Sequence, residues 1–146
     1  MATANLGFEH AANVIAASEE SRFQAFNSPF DRYVRGDDTA LSDSAKRGAT
    51  LFYGRARCAQ CHRGPLLSDF NFHNIAAPQV GAGHLQQAPL DFGRLNVTGN
   101  AADRFLFRTP SLRNVAVTGP WMHDGCYTDL GNVVRHYRNP AASLGN

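Results

Sequence analysis

The pentapeptide Cys58-Ala59-Gln60-Cys61-His62 constrains this chain more than any other feature of it. Two thiols three positions apart on a helical turn face the same side, and the adjacent imidazole projects beside them. That spacing lets two cysteines bond to the two vinyl groups of a porphyrin while the histidine meets its iron, which is the attachment pattern of c-type haem. Other uses of the cysteines want a different context: a zinc ribbon needs a second Cys pair, and a redox dithiol needs a βαβ unit. The sequence shows neither. One copy of the motif implies one covalent haem c, tethered by Cys58 and Cys61 and ligated on one face by His62.

The rest of the composition narrows the class. A chain of 146 residues with 43% hydrophobic content fits one soluble domain with a modest core. Fourteen basic and twelve acidic side chains leave a formal charge of +2, so no single-sign field points to nucleic acid or an anionic lipid surface. No apolar run approaches the ~18 residues of a membrane span, and Met1-Ala2-Thr3-Ala4-Asn5 lacks the basic and apolar regions of a signal peptide. Haem is attached to such motifs outside the cytoplasm. The expected location is therefore periplasmic or otherwise extracytoplasmic, with a signal removed, or the chain is a fragment with an added Met. Cys126 is left over from the haem motif, and a free or partly buried thiol is its expected state.

Periodicity predicts a helix over 7–26, with Phe8, Ala11, Ala12, Ile15 and Ala16 on one face, ended by Asn27-Ser28-Pro29. Residues 30–40 read as a polar connection. A second helix starts at Ser42 as N-cap, carries Ala45, Ala49, Leu51 and Phe52, and stops at Gly54, delivering the chain to Cys58. Residues 64–103 show no sustained period, and about forty residues of loop in a small domain wrap around something, for which a flat apolar macrocycle is suited. A last helix runs over 130–138 with Leu130, Val133, Val134 and Tyr137 on one face, capped by Asp129 or Thr128 and stopped by Pro140. The expected organisation is an N-terminal helix and connection over 1–40 and a c-type cytochrome domain over 41–146, forming one compact unit. The fold class is all-α and cytochrome c-like, with short helices, long haem-wrapping loops and at most minor strands.

Spacing alone leaves the opposite face of the iron open among Met122, His123, Tyr137, His136, His73, His84, His10 and Met1. A thioether would raise the reduction potential and a phenolate would stabilise ferric iron.

Several separated stretches resemble one known family. Phe107-Arg108-Thr109-Pro110-Ser111-Leu112-Arg113-Asn114-Val115-Ala116, then Gly119-Pro120-Trp121-Met122-His123-Asp124-Gly125, are similar to the C-terminal haem domain of bacterial dihaem cytochrome c peroxidases and their MauG-like relatives. Asn27-Ser28-Pro29-Phe30-Asp31-Arg32-Tyr33, Lys46-Arg47-Gly48 and Cys61-His62-Arg63-Gly64-Pro65 resemble the same family. The resemblance covers nearly the whole chain, and it implies a partner haem domain with its own Cys-x-x-Cys-His that is not in this sequence. It implies that the second axial ligand comes from the helix after His-Asp-Gly, a position held by Met in the peroxidases and Tyr in the MauG-like proteins. Here that position is Tyr137, with Met122 as the alternative. The resemblance also implies a calcium ion held between two domains, for which the carbonyls of Thr118 and Pro120 stand in the matching positions.

His123 and Asp124 are expected to hold their loop by hydrogen bonds rather than to act as acid or base. Arg113 and Arg108 are candidates to balance the haem propionates by charge-assisted hydrogen bonds, with ordinary surface arginine as the alternative. Trp121 is expected to wall the haem pocket. Three functions are then in view: the electron-transfer half of a peroxidase or MauG-like oxidoreductase, whose second haem domain or redox partner meets hydrogen peroxide; a freestanding monohaem electron carrier; and an enzyme in its own right that binds peroxide at a weak axial position.

Overall fold

The computed structural model describes residues 6–22, 26–81, 83–85 and 88–143. The chain groups into two units, Met1–Arg47 and Gly48–Asn146. This division lies a few residues after the expected partition between residues 40 and 41.

The first unit is helical. Helix α1 spans Phe8–Arg22, and its fifteen residues are all exposed, the predicted apolar face included. The end predicted for it falls partly outside the described residues. Helix α2 spans Pro29–Val34 and replaces the first part of the polar connection expected over 30–40. Its cause is local chemistry. The Asp31 backbone N–H donates to Ser28 Oγ at 3.2 Å, while Asp31 Oδ2 accepts from the Ser28 backbone N–H at 2.9 Å. This reciprocal capping box, with Pro29 in the first turn, satisfies orphan amides that a six-residue helix could not otherwise spare.

Helix α3 spans Asp43–Tyr53, with the Ala45 N–H donating to Ser42 Oγ at 3.2 Å as expected of an N-cap. It carries the chain into the second unit, which is mostly loop. Strands β1 (Phe72–His73) and β2 (Phe107–Arg108) pair antiparallel, with Phe72 opposite Arg108 and His73 opposite Phe107. Helix α4 (Leu95–Thr98) and 3-10 turns at Ala101–Asp103 and Val115–Val117 punctuate the loops. Helix α5 spans Leu130–Arg138, and Asp129 Oδ1 accepts from the Asn132 N–H at 3.0 Å. Pro140 stops α5 and opens a short α6, Pro140–Ser143.

Among the described residues no apolar side chain is buried; the buried positions are Asp31, Ser68, Thr109 and His136. Leu51, Tyr53, Leu66 and Phe70, which flank the Cys-x-x-Cys-His turn in the chain, are exposed. Among the described residues no helix is long and apolar enough to cross a membrane.

Candidate haem site

The motif is placed by how α3 ends. The Gly54 N–H donates to the Thr50 carbonyl at 3.0 Å and the Ala56 N–H to Leu51 at 3.0 Å, after which Arg57 takes a left-handed backbone (φ 60°) that turns the chain into Cys58–Gln60. Cys58–Gln60 is a 3-10 turn, closed by the Cys61 N–H donating to Cys58 O at 3.3 Å and the His62 N–H to the same oxygen at 2.9 Å. The tight turn sets both thiols and the imidazole on one local scaffold.

His62 is oriented by one bond. Its Nδ1 lies 3.0 Å from the Leu67 carbonyl oxygen. A carbonyl only accepts, so Nδ1 carries the proton and Nε2 presents a lone pair, the arrangement a metal-ligating histidine needs. Leu67 is in turn held by a clamp between residues 63–70 and 109–113. Arg113 donates through Nε and Nη2 to the Pro65 carbonyl, the former at 2.7 Å. Ser111 Oγ donates to Leu66 O at 2.6 Å, and the buried Ser68 donates to Thr109 O at 2.8 Å. Arg113 thus ties the loop whose Leu67 carbonyl orients His62, a role its sequence position did not announce.

Tyr137 lies on α5. The residue as a whole is half exposed, and partial burial, then the nearby Cys61 and Cys58 thiols, push its phenol above the usual tyrosine value. Its neighbour His136 is fully buried. His136 Nε2 donates to Ile75 O at 2.8 Å, and the Tyr127 hydroxyl meets Nδ1 at 3.3 Å. Both nitrogens are therefore spoken for, which makes His136 an anchor of α5.

Trp121 is half-buried and donates its indole N–H to Val115 O at 2.9 Å, while its backbone bridges Tyr127. Met122 is half-buried with a left-handed backbone (φ 69°) in the turn that follows. The His123 ring stacks on Phe107 at 3.8 Å, and its Nε2 accepts from Gln79 at 3.2 Å. Asp124 accepts from the Val80 N–H at 2.9 Å and the Cys126 N–H at 3.2 Å. The guanidinium of Arg108 sits 4.8 Å from the centre of the Phe70 ring. His84 and His10 are exposed, and Met1 lies outside the described residues.

The sequence reading passed over Asp69. Its carboxylate accepts from His73 Nε2 at 2.9 Å and from the Asn71 N–H at 2.9 Å, beside Cys61. Only the i,i+4 spacing to His73 could have hinted at this pair, and in a non-helical segment that spacing carries no signal.

The donor set fits haem c. Two unpaired thiols and an imidazole with a free Nε2 share one turn. A unit whose described apolar side chains are at most half-buried suits a macrocycle with two apolar faces. The cavity of about 160 Å³ lined by Gln79, Val80, Asp91, His123 and Asp124 is too small for a porphyrin. Thr118 and Pro120 do not complete a calcium site by themselves. Both are exposed, and the described ligating side chains that gather closely are Cys61, Asp69 and His73.

Comparisons with known proteins agree with this chemistry. The chain is 40% identical over 131 residues to the cytochrome-c peroxidase IdrP1 of Pseudomonas sp. (strain SCT), covering 75% of this chain and 35% of that protein. It is 38% identical over 116 residues to the methylamine utilization protein MauG of Methylophilus methylotrophus, covering 78% and 32%. The chain belongs to the cytochrome c peroxidase and MauG-like haem protein family. It is also 35% identical over 128 residues to the cytochrome c peroxidase Ccp of Escherichia coli, covering 87% of this chain and 27% of that one. The crystal structure of a MauG-like protein associated with microbial copper homeostasis superposes with a TM-score of 0.64 at 32% identity, covering 75% of this chain and 36% of that one. No family model matches. This family member spans about a third of the length of the curated relatives it matches.

Proposed function

We propose that this chain is the electron-transfer haem domain of a peroxidase or MauG-like oxidoreductase, with a cytochrome c-like fold over 41–146 and one haem c. Cys58 and Cys61 form the thioether tethers, His62 is one axial ligand and Tyr137 the other, with Met122 as the alternative. Its location is extracytoplasmic, where haem is attached to such motifs. The observation that carries the reading is the His62 Nδ1 to Leu67 carbonyl bond within the Cys58–Gln60 turn, which leaves Nε2 oriented for iron beside two thiols.

The haem supplies one-electron iron chemistry. The residues around it supply position. The 63–70 and 109–113 clamp holds Leu67, and through it the His62 ring. The buried His136 holds the helix that presents Tyr137. The surroundings of Tyr137 favour the protonated phenol, so the charge of ferric iron is what would displace its proton on ligation. Trp121 walls the haem pocket, and Arg113 holds the Pro65 carbonyl of the loop that orients His62. The partner is a second haem domain or redox protein at which peroxide reacts. A calcium ion shared with that domain would use the Thr118 and Pro120 carbonyls.

Expression with the haem-attachment machinery should add the mass of one haem and give a pyridine haemochrome that persists in acidified organic solvent. A polypeptide weighing only its amino acids would end the proposal. Tyr137→Phe should convert a low-spin six-coordinate ferric spectrum to high spin; an unaltered spectrum would move the assignment to Met122. Stoichiometric peroxide separates the functions. Slow, unproductive oxidation supports an electron-transfer unit, whereas rapid turnover without a partner would mean that this haem is itself the site of reaction.

A further inference from the structure

Beside the motif lies a buried charge that haem attachment does not require. The Asp69 side chain is only 4% exposed, while that of its partner His73 is 39% exposed. Ligating atoms of Cys61, Asp69 and His73 all lie within 4.8 Å of one another. His73 Nε2 and the Asn71 backbone N–H donate to the Asp69 carboxylate, and the Thr109 hydroxyl is a further partner. Burial opposes ionisation of Asp69, but these hydrogen bonds outweigh it and hold the carboxyl well below the ordinary carboxylate range. The amide and hydroxyl donors solvate the anion without cancelling its charge, and so does His73 while its ring is neutral; a protonated ring would pair with the carboxylate instead.

A cation is one conceivable use of such a trio. Once Cys61 is a thioether, however, its sulfur is no longer a thiolate donor, and the set loses its strongest ligand. The use compatible with haem attachment is electrostatic.

We propose that Asp69 tunes the reduction potential of the haem bonded to Cys61, its enclosed negative charge at the thioether edge favouring ferric over ferrous iron. The inference rests on the haem reading above. Reduction adds one negative charge to the iron centre, and a fixed anion in a poorly solvated setting opposes that addition. Removing the charge should raise the reduced-to-oxidised ratio at a fixed ambient potential on the order of tenfold, ~59 mV for a one-electron couple.

Spectroelectrochemical titration of the holoprotein tests this. Asp69→Asn is expected to raise the midpoint potential, and Asp69→Glu, which keeps the charge, to stay near the parent value. His73→Arg sets a fixed cation against the carboxylate at a more exposed position and should raise the potential as well. A haem-loaded Asp69→Asn protein with an unmoved or lowered potential would overturn the inference, as would equal shifts in the Asn and Glu variants, because geometry rather than charge would then be acting. Should Asp69→Asn fail to take up haem, His73→Arg decides alone, an unmoved potential overturning the idea. The parent's pyridine haemochrome keeps the two levels apart: its absence sinks the haem reading, whereas its presence with unmoved potentials sinks only the role of Asp69.

Discussion

At the scale of single residues, His136 shows how tertiary context assigns a role that residue type leaves open. It stood among several possible iron ligands, yet both ring nitrogens are engaged and the side chain is wholly enclosed. His136→Ala should cost about 2–4 kcal/mol in denaturant unfolding of the holoprotein, because the Tyr127 hydroxyl and the Ile75 carbonyl both lose their partner. Asp69 gives a pH signature. Its folded pKa is depressed, so its stabilisation is fully present above the unfolded carboxylate value of about 3.9 and is lost as pH falls below it. Acid unfolding of Asp69→Asn should accordingly show a flatter pH dependence below about pH 4 than the parent. Cys126 is a free, half-buried thiol. Burial, then the hydrogen bond and charge of Asp124, push it up to about 12, so it should alkylate far more slowly at pH 8 than an exposed cysteine. Asp124→Asn should speed that reaction; equal rates in parent and variant would show that access, not ionisation, limits it.

At the scale of elements, legibility followed the range of the forces involved. Helix α5 was readable end to end because Asp129, the apolar spacing and Pro140 all lie within its own segment. Asp129→Ala should cost about 1 kcal/mol through loss of the bond to the Asn132 N–H, read as a lower Tm and weaker helical circular dichroism. The capping box of α2 is equally local, but a six-residue helix carries too little apolar period to stand out beside the polar Gly36-Asp37-Asp38 turn. The β1 and β2 pairing was a different matter. Two-residue strands carry no period, and their partners lie more than thirty residues apart in the chain.

At the scale of the whole molecule, stability is expected to depend on haem attachment. The described part of the chain buries no apolar side chain, so the apolar faces of the haem are expected to complete the core. Cys58→Ala/Cys61→Ala should therefore unfold over a broader transition at markedly lower temperature than the holoprotein, and should bind an apolar dye in buffer; a sharp melt at the parent temperature would refute that coupling. What the sequence by itself determined was the Cys58-x-x-Cys61-His62 motif with its c-type haem expectation and the helices on either side of it, because covalent spacing and local capping act over a few residues. The tertiary structure alone decided which carbonyl aims His62, where Arg113 docks, which histidine is buried and that Asp69 lies beside Cys61. Arg113 and Pro65 lie 48 residues apart and His136 and Ile75 61 apart, while His62–Leu67 and Cys61–Asp69 are joined across an irregular loop; no local pattern of residue types encodes which of them will meet.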